Sequence, residues 1–111
     1  MYFTDDELKC PCCGVVKIDD GAITKLNKFR KIWGRPMHVN SAYRCMKHNK
    51  ELGSEDTSKH PQGKAFDIRV NRNDRFEFVK LAIKIGFKGI GIADEFVHLD
   101  DREGPPFMWI Y

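Results

Sequence analysis

Long hydrophobic runs are missing from this chain. No stretch stays apolar for the eighteen or so residues that a membrane-spanning helix needs, so a helical anchor is not expected. The first residues, Met1-Tyr2-Phe3-Thr4-Asp5-Asp6-Glu7, are acidic and contain no apolar core of a secretory leader. The expectation is a protein made in the cytoplasm without a signal peptide. A basic stripe with interleaved aromatic residues is also missing, which argues against nucleic acid as a partner. The net charge of +3 comes from 19 basic and 16 acidic residues whose signs are interspersed along the chain. That is a solvated surface, at most mildly attracted to an anionic polymer. Repeats, low-complexity tracts and linkers are lacking too. A length of 111 residues, 41% of them hydrophobic, then suits one domain over 1–111 with one modest core. Nothing in the pattern calls for a partner copy, so a monomer is expected.

Cysteine is scarce but unevenly placed. Cys10, Cys12 and Cys13 cluster, while Cys45 stands alone. In a cytoplasmic protein such thiols stay reduced or bind metal more often than they form disulfides. C-x-C-C is not the usual spacing of a zinc ribbon, whose paired cysteines are two to four residues apart. Three readings stay open. The four are buried reduced thiols, or one bridge forms from the cluster to Cys45 in an oxidising space, or a second, structural zinc sits on Cys10, Cys13 and Cys45 with His48 or His38. In the extreme form of the last, the chain is a small adaptor whose zinc is held by Cys10, Cys12, Cys13 and Cys45 alone.

Regular elements can be placed from periodicity and punctuation. Phe3–Cys13 reads as an arm packed on the domain. Asp19-Asp20-Gly21 is a turn that offers an N-cap to a helix over Ala22–Trp33, whose stripe is Ala22, Leu26, Phe29 and Trp33; Gly34 and Pro36 end it. His38–Ala42 is a short strand, followed by a short helical stretch near Met46–Leu52 and a loop over Leu52–Thr57. A second helix spans Asp74–Ile85. Asp74 and Glu77 suggest a capping box, Phe78, Leu81, Ala82 and Ile85 form its stripe, and Gly86 stops it. Lys88–Ile92 is a glycine-rich strand. The tail Gly104–Tyr111 reads as an edge strand whose large residues pack into the core, with Trp109 and Tyr111 lining a cleft as the alternative. His38 and His48 lack any motif around them and read as surface or packing residues.

The most informative stretch is Ser58-Lys59-His60-Pro61-Gln62-Gly63-Lys64-Ala65-Phe66-Asp67. Pro61 and Gly63 make a turn, and Lys64–Val70 is a strand. Alternation puts Ala65, Asp67 and Arg69 on one face and Phe66, Ile68 and Val70 on the other. In the strand Glu95–Asp100, Val97 and Leu99 share one face, and Phe96, His98 and Asp100 the opposite one. If Phe66, Ile68, Val97 and Leu99 face the core, Asp67 and His98 emerge together on the outer face, and His60 arrives from the turn. Two imidazoles and a carboxylate with a fourth position open form the ligand set of a catalytic zinc ion. Asp100, on the same face as His98, is a candidate acceptor for its second ring nitrogen.

S-x-H-x-x-G-x-A-x-D followed by a later x-x-H resembles the zinc D-alanyl-D-alanine carboxypeptidase and L-alanyl-D-glutamate endopeptidase family. That family includes VanY-like enzymes and phage endolysins; the zinc domain of hedgehog proteins is a more distant likeness. The resemblance runs from about Phe3 to Arg102. It implies an α+β fold with a small antiparallel sheet and helices packed on one face, and a Zn2+ ion on His60, Asp67 and His98. It implies that Arg44, in Ser41-Ala42-Tyr43-Arg44 where relatives have S-G-Y-R, holds a substrate carboxylate or polarises the carbonyl under attack, and that Ser58 contacts substrate or its own loop. Relatives carry an acid three residues before the last His. That position is Glu95, the candidate general base for the zinc-bound water, with adjacent Asp94 as the substitute. Some relatives have a second His near this segment; Ala93 and Asp94 stand there in this chain. Relatives often carry cysteine near both cysteine positions, which implies that the N-terminal arm packs beside Cys45. The implied activity is hydrolysis of peptidoglycan stem peptides, by a phage endolysin acting on the cell wall after release. The alternative is a catalytically inactive, hedgehog-like zinc-containing binding module.

Overall fold

A computed structural model of the chain describes residues 2–45 and 60–111. In order, the elements are α1 (Asp5–Leu8), α2 (Asp20–Trp33), β1 (Val39–Ser41), a 3-10 turn (His60–Gln62), β2 (Ala65–Arg69), a second 3-10 turn (Arg72–Asp74), α3 (Arg75–Ile85), β3 (Gly89–Ile92), β4 (Phe96–Asp100) and β5 (Phe107–Ile110). The expectations for Met46–Leu52, Leu52–Thr57, His48 and Ser58 fall outside the described residues.

The five strands form one sheet in the order β1-β2-β4-β3-β5. The first four neighbour each other antiparallel, and β5 joins β3 in parallel, so the sheet is mixed. The α+β class is as the sequence implied. Register places Asp67 opposite His98, His98 opposite Gly91, and Gly91 opposite Trp109. Because cross-strand neighbours share a face, these residues form one row across the sheet.

The other face is the core. Phe66, Ile68, Val97, Leu99 and Ile90 pack there with Leu26 and Phe29 of α2 and Phe78 and Ala82 of α3. The rings of Phe29 and Phe78 lie 4.6 Å apart between centroids. Each fully buried side chain of this size contributes about 1.5–3 kcal/mol by leaving water. The alternation of β2 and β4 is therefore fixed, because a slip of one residue would drive Asp67 and His98 into this core.

Local chemistry sets the helix ends. The Asp19 side chain accepts from Ala22 N–H at 3.0 Å, and Gly34 closes α2 with φ 71°. Gly86 closes α3 with φ 111°. One reading of the ends needs correction. The Asp74–Glu77 capping box is not formed: Asp74 makes no side-chain cap bond and pairs with Arg35 at 3.3 Å. The cause is its backbone, at φ −96° and ψ −10° after the 3-10 turn, whereas a capping residue needs extended geometry. The capping box that does form lies in the N-terminal arm, where Thr4 and Glu7 cap the single turn of α1 reciprocally.

The tail also differs from the core role expected of it. β5 is an edge strand, and Phe107, Met108, Ile110 and Tyr111 are all exposed. Its parallel pairing to β3 puts Trp109 over the polar row instead of into the core.

Candidate metal centre

His60 sits in the 3-10 turn that precedes Gly63. Gly63 has φ 71°, and a Cβ there would run into the carbonyl oxygen of Lys17. Only glycine fits that close approach without strain. Gly63 O accepts from Asp19 N–H at 2.8 Å, which ties the turn to the start of α2. The imidazole of His60 is buried, with Nδ1 2.6 Å from Ala42 O. A carbonyl only accepts, so Nδ1 carries the proton and the lone pair is on Nε2. Nε2 lies 3.3 Å from Asp67 Oδ2.

His98 has the opposite polarity. Its Nε2 lies 2.7 Å from Asp100 Oδ2, and its Nδ1 lies 2.9 Å from Asp67 Oδ1. Asp100 is fully buried and is itself gripped by Arg102, whose Nε and Nη2 both donate to it at 2.8 Å. The carboxylate of Asp100 is thus ionised and accepts a hydrogen bond from His98 Nε2–H. The expectation that Asp100 orients His98 is met.

This arrangement decides whether the residues fit a metal. Asp67 presents one oxygen to the inner nitrogen of each imidazole; without its proton that nitrogen offers a lone pair, and with it the nitrogen donates to Asp67. Three electron-rich groups converging in a buried site repel one another unless a cation or protons stand between them. The ligating atoms of His60, Asp67 and His98 lie within 4.8 Å of one another. Both far nitrogens are engaged by acceptors, as ligating histidines require. The set fits a small divalent ion with nitrogen and oxygen ligands.

Electrostatics agrees. Burial alone would raise the pKa of Asp67, but hydrogen bonds from His60 and His98 hold it well below the carboxylate range. Burial would lower that of His98, but Asp100 and Asp67 lift it above its ordinary 6.5. Asp100 stays ionised against its own burial because Arg102 and His98 bond to it.

Aromatic and charged side chains stand around the three residues. The Trp109 ring lies 5.1 Å from the His98 ring, and Arg102 stacks over Trp109 at 5.1 Å. Two glycines of β3 make room. A Cβ at Gly91 would meet the Trp109 indole at 2.6 Å, and one at Gly89 would strike the Asp100 carboxylate. Tyr111 is close enough to feel the charges of Asp67 and Arg44; burial first, then Asp67, pushes its pKa up. Arg44 is half-buried, its Nε without a hydrogen-bond partner among the described residues, and the charge of Asp67 acts on it. Trp109 thus stands beside His98, and Tyr111 beside Trp109, on the polar face of the sheet rather than in the core.

Glu95 is not brought into this group by any contact among the described residues. It is exposed at the β3–β4 bend and shares a shallow pocket with Asp94, Arg69 and Arg72. Alternation gives it the parity of Val97, opposite that of His98. Asp94 is paired with Arg72. His38 is exposed, in keeping with a surface role.

The four cysteines form a separate cluster. Cys10, Cys12, Cys13 and Cys45 bring their sulfurs within 4.8 Å of one another, and Tyr43 N–H donates to Leu8 O at 3.2 Å. The N-terminal arm does pack beside Cys45.

A family model described as Peptidase M15 matches residues 1–100, which include His60, Asp67 and His98. No curated protein matches this sequence.

Proposed function

Because the chain belongs to the peptidase M15 family, we propose that it is a zinc metallopeptidase of peptidoglycan stem peptides, with His60, Asp67 and His98 as the ligands. The observation that carries the reading is Asp67, with one oxygen toward the inner nitrogen of each imidazole. A bound zinc ion supplies a Lewis acid that polarises the scissile carbonyl and acidifies a water to about pKa 7.

The chain's own residues do the rest. Ala42 O and Asp100 fix the two imidazoles in opposite tautomers, so that Nε2 of His60 and Nδ1 of His98 are the ligating atoms. Arg44, permanently charged and beside Asp67, forks onto a carboxylate or carbonyl of the stem peptide. Trp109 and Tyr111 wall the cleft against which the peptide backbone lies. Glu95, by its place in Glu95-Phe96-Val97-His98, takes the proton of the attacking water and returns it to the leaving amine. For this its side chain has to turn around the end of β4 to reach the metal face. The place of action under this reading is the bacterial cell wall, reached on release from the cytoplasm, as for a phage endolysin.

The position of Glu95 favours one competing reading, a zinc-containing binding module without turnover. Digestion of purified peptidoglycan by the zinc-loaded protein, followed by mass spectrometry of the muropeptides, separates the two. The proposal expects new termini at one stem-peptide bond, their loss with chelator, and a kcat about 10²–10⁴-fold lower for Glu95→Gln at unchanged zinc content. A Glu95→Gln protein within a few-fold of wild type places the base elsewhere. No cleavage by the fully loaded protein leaves the binding module.

The site also sets a pH dependence. In the metal-free protein His98 has a raised pKa, so its contribution to stability is full below its unfolded value and is lost as pH rises through the folded one. Zinc needs the same Nδ1 without its proton. The Tm of the metal-free protein should therefore fall as pH rises above 6.5, while the increase in Tm on adding zinc should grow over the same interval. Differential scanning calorimetry with and without zinc checks both slopes.

A further inference from the structure

We propose that Cys10, Cys12, Cys13 and Cys45 hold a second zinc ion, closed and structural, that clamps the wall of the cleft carrying Arg44. The segment Cys10–Val15 is a knuckle. Cys10 N–H donates to Val15 O, and Gly14 N–H donates to Cys10 O, both at 2.8 Å. Gly14 takes φ 71°, which lets the chain fold back this tightly. The fold-back aims backbone N–H groups at one sulfur: those of Cys12, Cys13 and Cys45 all bond to Cys10 Sγ. Such donors favour a thiolate over a thiol, and a thiolate is what a metal takes.

The sulfur spacing separates a metal from a disulfide. Cys10 Sγ is 3.6 Å from Cys12 Sγ, and Cys12 Sγ is 3.3 Å from Cys45 Sγ. A disulfide needs two sulfurs at about 2.05 Å and excludes the others. Four sulfurs around one zinc at about 2.3 Å stand about 3.8 Å apart. All four sulfurs here lie within 4.8 Å of one another, each facing three neighbours rather than one. Four thiolates with no further ligand make a structural site, because no position is left for substrate or water.

The consequence reaches the candidate active site along the chain. Cys45 follows Arg44 directly, and Ala42, whose carbonyl orients His60, lies three residues earlier. The bond from Tyr43 N–H to Leu8 O joins the same two segments. Zinc on the four sulfurs pins the knuckle to Ala42–Cys45 and so fixes both the guanidinium and the carbonyl.

Metal analysis and cobalt substitution of the full-length protein test this. Wild type should carry two zinc ions per chain, Cys13→Ser one, and His60→Ala one. With Co2+ in place of zinc, an intense thiolate-to-cobalt charge-transfer band should appear in wild type and in His60→Ala and be missing from Cys13→Ser. Because His60→Ala keeps the band whatever becomes of the peptidase proposal, the two proposals fail separately. Should Cys13→Ser unfold, the band in wild type and His60→Ala still decides. One zinc per wild-type chain, abolished by His60→Ala, with no charge-transfer band, overturns the second site, as does a native protein whose cysteines are joined in disulfides.

Discussion

An Asp67→Ala protein is expected to lose the zinc ion of the cleft and at least about a thousandfold in kcat/KM on stem peptides, while remaining folded. Among the described residues, Asp67 faces both imidazoles. Its removal leaves the two lone pairs with no carboxylate to complete a three-ligand set. Several kcal/mol of transition-state stabilisation depend on the ion, and about 4 kcal/mol corresponds to about a thousandfold. The fold should survive because each ring is held from its far side, His60 by Ala42 and His98 by Asp100. Asp67 also lies on the outer face of β2, away from Phe66 and Ile68, so no core contact is lost. Metal analysis, circular dichroism and steady-state kinetics on one preparation check the three parts. Asp67→Asn, which keeps the shape and removes the charge, should behave alike. Full zinc content in either variant would remove Asp67 from the ligand set.

The second large effect falls on stability. Asp100→Ala should lower the unfolding free energy by about 3 kcal/mol and weaken zinc binding about 10–100-fold. Asp100 has no exposure and four hydrogen bonds from two partners, His98 Nε2 and the backbone N–H, Nε and Nη2 of Arg102. Deleting it leaves buried donors unsatisfied and releases His98 from its tautomer. The cost sits at the low end of that for a buried pair because the Arg102 side chain is 24% exposed and can turn to water. Urea denaturation and chelator competition measure the two losses. A double-mutant cycle with Arg102→Ala should show strong coupling. Additive losses would mean that the two side chains do not support each other.

The meeting of Asp67 and His98 was legible in the sequence because it rests on alternation, and that of His60 because Pro61 and Gly63 mark the turn that leads into β2. Once Phe66, Ile68, Val97 and Leu99 are assigned to the core, the polar side chains between them have only one face left. The ends of α2 were legible for a similar reason, since Asp19 and Gly34 act within one turn. What lay beyond reach depends on which distant strands become neighbours. Nothing local says that β5 pairs with β3 in parallel, so Trp109 looked like a core residue and the glycines of β3 carried no assigned role. Gly91 in fact opens the space that Trp109 fills, and Gly89 the space for Asp100. The Asp74–Glu77 box failed because sequence spacing does not reveal the 3-10 turn that precedes α3. Glu95 was chosen by its spacing from His98, and spacing does not show which way a side chain leaves a bend. The cysteines needed Cys10 and Cys45 brought together from 35 positions apart.

The central claim is that one metal ion lies between His60 Nε2, Asp67 and His98 Nδ1. The most direct test is an anomalous difference map, collected at the zinc absorption edge from crystals of the zinc-loaded protein. The account predicts a peak within bonding distance of those two nitrogens and of an Asp67 oxygen, with His98 Nε2 still bonded to Asp100. A fully active protein with no peak between these three side chains would contradict it.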